Sequence, residues 1–115
     1  MSEIVKDITD ANFETEVMKS NVPVLVDFWA EWCPPCRAMS PIVESLATKF
    51  SGNAKIVKLN VDDNPSVTQR FGIKGIPTMI VFKGGKEAER VVGATNEGAI
   101  SRLIEEQLTV AKSVS

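Results

Sequence analysis

Histidine is absent from these 115 residues, and cysteine occurs only twice. The first absence removes the commonest metal ligand and the commonest general base. Acid–base work then falls to carboxylates, lysines, thiols or water. A structural zinc site wants about four Cys or His ligands, and two cysteines do not supply them, so no metal is expected. No apolar run approaches the ~20 residues of a membrane span. No basic stretch points to nucleic acid or an anionic membrane, and the net charge is −2. The segment from Met1 to Val17 is polar and charged. It lacks the basic start and apolar core of a signal peptide, so a cytoplasmic protein is expected.

What is present fits one domain spanning 1–115, without repeat, low-complexity tract or linker. Hydrophobic residues make up 43% and charged residues 24%, ordinary for a globular protein. A chain of this size buries about 65% of the surface its unfolded form exposes. Two cysteines in a cytosolic chain are more often reactive or metal-binding than a structural staple.

Taken in order, Ile4 to Ile8 reads as a short first strand. Thr9 or Asp10 caps a following helix to Lys19, with Phe13 and Val17 one turn apart on its inner face. Val22 to Trp29 is apolar on both faces and reads as a central strand, with Pro23 near its start. Pro34 to Phe50 carries the stripe Met39, Ile42, Val43, Leu46, Ala47 and Phe50 of a buried helix. Pro41 is expected to kink it, and Gly52 to cap it. Lys55 to Val61 is the third strand. Asn64-Pro65 starts a short helix to Phe71. Thr78 to Lys83 and Glu87 to Val92 form a hairpin through Gly84-Gly85. Asn96 caps a last helix with Ile100, Leu103, Ile104 and Leu108 on one face, and 109–115 is expected to fray. The order β-α-β-α-β-α-β-β-α implies an α/β sandwich, with a mixed five-stranded sheet and four flanking helices.

The chemistry centres on Trp32-Cys33-Pro34-Pro35-Cys36. If Cys33 caps the helix, Cys36 is its third residue, on the same side and within disulfide reach. The helix N-terminus stabilises an anion at Cys33, so its pKa is expected below the ~8.5 of a free thiol. Pro34 and Pro35 donate no N–H, which leaves the Cys36 N–H as the first donor in reach of the Cys33 sulfur. The prolines mark a turn, and turns are exposed, so the thiols are expected at the surface rather than as a buried inert pair. Asp27 sits in the most apolar run, on the strand face of Leu25 and Trp29. Burial there raises a carboxyl pKa; a wet face leaves Asp27 an ordinary strand residue. Lys58 either pairs with a buried carboxylate or reaches solvent, and on its own the solvated reading is favoured.

The chain at this point resembles the thioredoxin family over nearly its whole length. The resemblance rests on Val24 to Cys33, then Pro35-Cys36, Pro41, Lys58, Asp62, Gly72-Ile73, Gly75-Ile76-Pro77-Thr78, Phe82-Lys83, Gly85 and Val92-Gly93-Ala94. It implies a thioredoxin-like three-layer sandwich and a protein disulfide reductase. Cys33 is then the attacking thiol and Cys36 the resolving one. Asp27 exchanges the Cys36 proton, and Lys58 tunes Asp27. Pro77 is a cis-proline beside the disulfide, and the Ile76 backbone pairs with an extended substrate. Trp32, Gly75, Gly93 and Ala94 complete the substrate-facing surface. The resemblance also implies a monomer without cofactor, acting on disulfide-containing proteins and recharged by a flavin-dependent thioredoxin reductase that uses NADPH. Pro34 departs from the family's usual glycine and bears on the redox potential, where about 30 mV equals 1.4 kcal/mol. Two other readings follow from the same residues. Pro34 suggests a thiol oxidant or isomerase, and the surface around Trp32 suggests a binding module whose thiols are idle.

Overall fold

The computed structural model describes residues 5–114, with side chains through 108. Five strands, β1 (Lys6–Asp7), β2 (Val24–Trp29), β3 (Lys55–Asn60), β4 (Thr78–Lys83) and β5 (Lys86–Val92), form one sheet in the order β1-β3-β2-β4-β5. The pairs β1–β3 and β2–β3 are parallel, and β2–β4 and β4–β5 are antiparallel. The apolar Val24–Trp29 run therefore lies in the middle of the sheet, covered on both faces, as its composition requires. Pro23 precedes the first paired residue, where its missing N–H removes no ladder bond. Gly84 and Gly85 have φ of 61° and 79°, the left-handed geometry that a two-residue hairpin turn demands.

Each face of the sheet carries its own apolar slab. Helices α1 (Pro34–Lys49) and α3 (Glu97–Val114) cover one face. Met39, Val43, Leu46, Ile100 and Ile104 pack there on Leu25, Ile56, Met79 and Val81. The Asn96 side chain accepts the Ala99 N–H at 2.8 Å and caps α3. Helix α1 continues through Pro41, which is exposed. The other face is covered by α2 (Pro65–Arg70) and by a short π-helical segment, Glu14–Met18. Phe13, Val17 and Val67 pack there on Val24, Val26, Phe28, Ile80 and Phe82. The rings of Phe13, Phe71 and Phe82 meet with centroids 5.0–5.6 Å apart. The result is the mixed α/β sandwich expected from the element order, in the three layers that the resemblance implied.

Two local expectations change. The first strand is shorter than Ile4–Ile8, and Ile4 lies outside the described residues. The helix expected from Asp10 is turn up to Asn12, then closes as an i→i+5 turn with Lys19 N–H donating to Glu14 O at 3.0 Å. Of the two expected caps, Thr9 accepts the Asn12 N–H at 3.3 Å through Oγ1, and Asp10 points elsewhere. Its carboxylate accepts the Ser66 and Val67 N–H groups at 3.1 and 2.9 Å, so it caps α2 across 56 residues of sequence. Asn64, expected to cap α2, makes no such bond with its own side chain. Its amide instead accepts the Asp10 N–H at 2.9 Å and donates to Asn60 O at 3.0 Å. The two capping residues have exchanged partners, which fastens the N-terminal segment to the top of β3.

Candidate active site

The end of β2 delivers the chain to a tight turn, and Cys33 is the N-cap of α1. Its φ and ψ of −103° and 101° are extended, as a residue before proline must be. Pro34 then takes the first helical position, where no N–H is needed. This geometry turns the Cys33 Sγ back over the helix start, where it accepts the Cys36 N–H at 3.3 Å. The two cysteines form a disulfide with Cα atoms 5.3 Å apart. The expectation of exposed sulfurs is corrected. Both cysteines are 3% exposed, while Pro34 and Pro35 are the exposed part of the turn. The sulfurs sit inward because Ala30 lies beneath them and Trp29, Val61 and Ile76 pack around them. Among the described residues, no cluster of His, Cys, Asp or Glu could hold a metal ion.

Asp27 lies two residues before the end of β2 and is 5% exposed. Loss of hydration pushes its carboxyl up from the ordinary 3.8 to about 7, with the Lys58 charge pulling the other way. The two residues are register neighbours on β2 and β3. Lys58 is in turn the register neighbour of Asp7 on β1. Its Nζ sits 3.9 Å from the Asp7 carboxylate and 5.2 Å from the centre of the Trp29 ring. Lys58 is thus half-buried, and its ammonium reaches the exposed Asp7 carboxylate at the sheet edge rather than pairing with a buried one. Neither Asp27 Oδ1 nor Trp29 Nε1 finds a hydrogen-bond partner among the described residues.

The remaining residues singled out in the sequence come from three further segments. The Ile76-Pro77 bond is cis. The Ile76 carbonyl oxygen lies 3.8 Å from the Cys33 Sγ. Pairing of Thr78 with Val92 brings the start of β4 beside the end of β5. Just past that end, the Gly93 N–H donates to the Pro77 carbonyl at 2.7 Å. Gly93 has φ of 95°, a value that favours glycine. A Cβ at Gly75 would touch Val92, 3.4 Å from its Cγ1. Ala94 follows Gly93 and is exposed. Trp32 is 66% exposed, and its Nε1–H donates to Asp62 Oδ2 at 2.8 Å.

Two partners were missed by sequence reasoning: Asp7 for Lys58, and Asp62 for Trp32. Nothing local could have revealed Asp7, because its place beside β3 exists only in the folded sheet. Asp62 was visible as part of the resemblance, but no role followed from it.

Residues 4–106 match the thioredoxin family model. The chain belongs to the thioredoxin family. The chain is 48% identical over 101 residues to thioredoxin 1 of Nostoc sp., covering 88% of the chain and 94% of that protein. It is 47% identical over 102 residues to the thioredoxin of Chlorobaculum thiosulfatiphilum, covering 89% and 94%. It is 42% identical over 108 residues to the thioredoxin of Acidithiobacillus ferridurans, covering 94% and 100%. With the Cys33–Cys36 disulfide in place, it is a protein-disulfide oxidoreductase that works by dithiol–disulfide exchange on disulfide-containing proteins.

Proposed function

We infer that Cys33-Pro34-Pro35-Cys36 is the active-site motif of a general disulfide reductase, with Cys33 as nucleophile and Cys36 as resolving thiol. The observation that carries this is the place of the Cys33 sulfur. It sits at the N-terminus of α1, accepts the Cys36 N–H, and lies against the Ile76 carbonyl. In the reduced protein that helix end stabilises a Cys33 thiolate. The thiolate attacks one sulfur of a substrate disulfide. A Cys33–substrate disulfide forms, and the other substrate sulfur leaves as a thiolate. Cys36 gives its proton through water to Asp27 and attacks the Cys33 sulfur. The Cys33–Cys36 disulfide forms, the second substrate sulfur leaves, and two electrons have passed to the substrate. A carboxyl that titrates near 7 is suited to this proton, because it is neither fully ionised nor fully protonated at working pH. Lys58 moderates Asp27 through its charge.

In this reading Trp32, Gly75, Ile76, Pro77, Gly93 and Ala94 meet the substrate segment. The disulfide is the protein's own redox group, no cofactor is bound, and the chain acts as a monomer. A flavin-dependent thioredoxin reductase using NADPH restores the dithiol, in the cytoplasm, where thiols are kept reduced. The trapping experiment tests the roles. Cys36→Ser accumulates covalent substrate adducts on Cys33, and Cys33→Ser accumulates none. Equal trapping by both variants overturns the assignment. Rapid NADPH oxidation with thioredoxin reductase is expected; failure of that turnover, together with an oxidising midpoint potential, would move the protein to the thiol-oxidant reading.

A further inference from the structure

Trp32 combines two properties. It is a large apolar side chain with 66% of its surface exposed, next to the reactive pair, and yet its one polar atom is fixed. The fixing group is the Asp62 carboxylate, which takes the indole N–H at 2.8 Å. Asp62 is itself held from behind. Its backbone N–H donates to Asn60 Oδ1 at 2.9 Å, and Asn60 is the last residue of β3. The Asn60 carbonyl receives the Asn64 amide, which is anchored to the Asp10 backbone. A continuous set of hydrogen bonds thus runs from the rigid end of the sheet to the exposed ring. Among the described residues, no cation pairs with the Asp62 carboxylate.

We propose that Asp62 is a positioning residue for disulfide exchange: it holds the Trp32 indole as a preformed wall beside the Cys33–Cys36 pair, ready for a protein substrate. The proposal rests on the reading that Trp32 meets the substrate. The physical basis is the entropy of binding. A free surface tryptophan samples several rotamers, and a substrate that contacts it must first select one. A ring already fixed by Asp62 spares that cost for every substrate segment that lies on it. A small disulfide without a flanking segment gains nothing from the wall. Asp62 therefore separates protein disulfides from small ones without touching the sulfur chemistry.

The test uses the reduced full-length protein in stopped flow. Second-order rate constants are measured for a disulfide-bonded protein, insulin, and for a small one, hydroxyethyl disulfide. In Asp62→Ala the insulin rate falls about three- to tenfold, and the small-disulfide rate changes less than twofold. Asp62→Asn keeps an oxygen that can accept the indole N–H and restores most of the insulin rate. In a Trp32→Phe background, which has no N–H to hold, Asp62→Ala has almost no further effect. Equal losses with both disulfides overturn the proposal, and so does an undiminished effect in the Trp32→Phe background. An Asp62→Asn protein as slow as Asp62→Ala also overturns it, because charge rather than the hydrogen bond would then matter. Trp32→Ala separates the two levels of the argument. If Trp32→Ala slows insulin and Asp62→Ala does not, the proposal alone fails. If Trp32→Ala leaves insulin reduction unchanged, the substrate-surface reading fails and the proposal fails with it.

Discussion

The two faces of β2 behave differently, although they alternate along six residues. Val24, Val26 and Phe28 point into the slab that holds Phe13, Ile80 and Phe82. Leu25, Asp27 and Trp29 share the opposite face. That face begins in the slab under α1 and α3 with Leu25. It then turns polar, with Asp27 Oδ1 and Trp29 Nε1 buried and without hydrogen-bond partners among the described residues. One face is optimised for stability. The other buries a carboxyl and an indole N–H beside the apolar slab, where the carboxyl is pushed up by desolvation.

Four measurements sharpen or break this contrast. The largest effect is expected on the apolar face. Phe82→Ala should lower unfolding free energy by about 3–5 kcal/mol in a denaturant titration, through lost burial and the cavity left between Phe13 and Phe71. Disulfide exchange by the folded variant should stay within about twofold of wild type. A larger loss of exchange would show that the two faces are not independent.

Asp27 is next. Its carboxyl is raised to about 7 in the folded chain and has its ordinary value near 4 when unfolded. Between those values the folded state holds the extra proton, so stability falls as pH rises, by about 4 kcal/mol from pH 4 to above pH 7. Asp27→Asn should lack this fall, and the two unfolding curves should diverge steadily over that window. Parallel curves would mean that Asp27 is not desolvated. The same variant should resolve mixed disulfides at least tenfold more slowly at neutral pH.

Asp10→Ala removes the cap that crosses from the N-terminal segment to α2, and should cost about 1 kcal/mol in the same titration. No loss would mean that α2 finds its donors elsewhere. The smallest effect belongs to Lys58→Met. Removing that cation should move the Asp27 midpoint upward, as read from the pH dependence of exchange. A downward movement would contradict the electrostatic coupling.

Much of the fold is local and was legible in the chain. The two-sided apolarity of Val24–Trp29 announced a covered central strand. The stripe on Pro34–Phe50 announced a helix packed on one side, and Gly84-Gly85 announced a hairpin. Each depends on side-chain periodicity or on backbone freedom within a few residues, which sequence records directly. The helix expected over Asp10–Lys19 starts later, at Phe13, and of its two candidate caps Thr9 takes the local Asn12 N–H while Asp10 caps α2, 56 residues away. Capping side chains choose between local and distant donors by geometry, and spacing alone cannot rank the two. The depth of the cysteines was misjudged for a related reason. A proline-rich turn is exposed by default, but here only the prolines face outward, while the sulfurs are covered by Ile76, forty residues on.

The sequence by itself determined the chemistry: two thiols at a strand-to-helix turn, one carboxyl in an apolar strand, and no histidine to share the work. These depend on residue identity and on neighbours along the chain. Tertiary structure alone decided who stands beside whom. It placed Asp7 and Asp27 on either side of Lys58, the Ile76 carbonyl against Cys33, Gly93 on Pro77, and Asp62 under Trp32. Register between non-consecutive strands and the meeting of distant loops follow from packing the whole sheet, and no short segment contains that information.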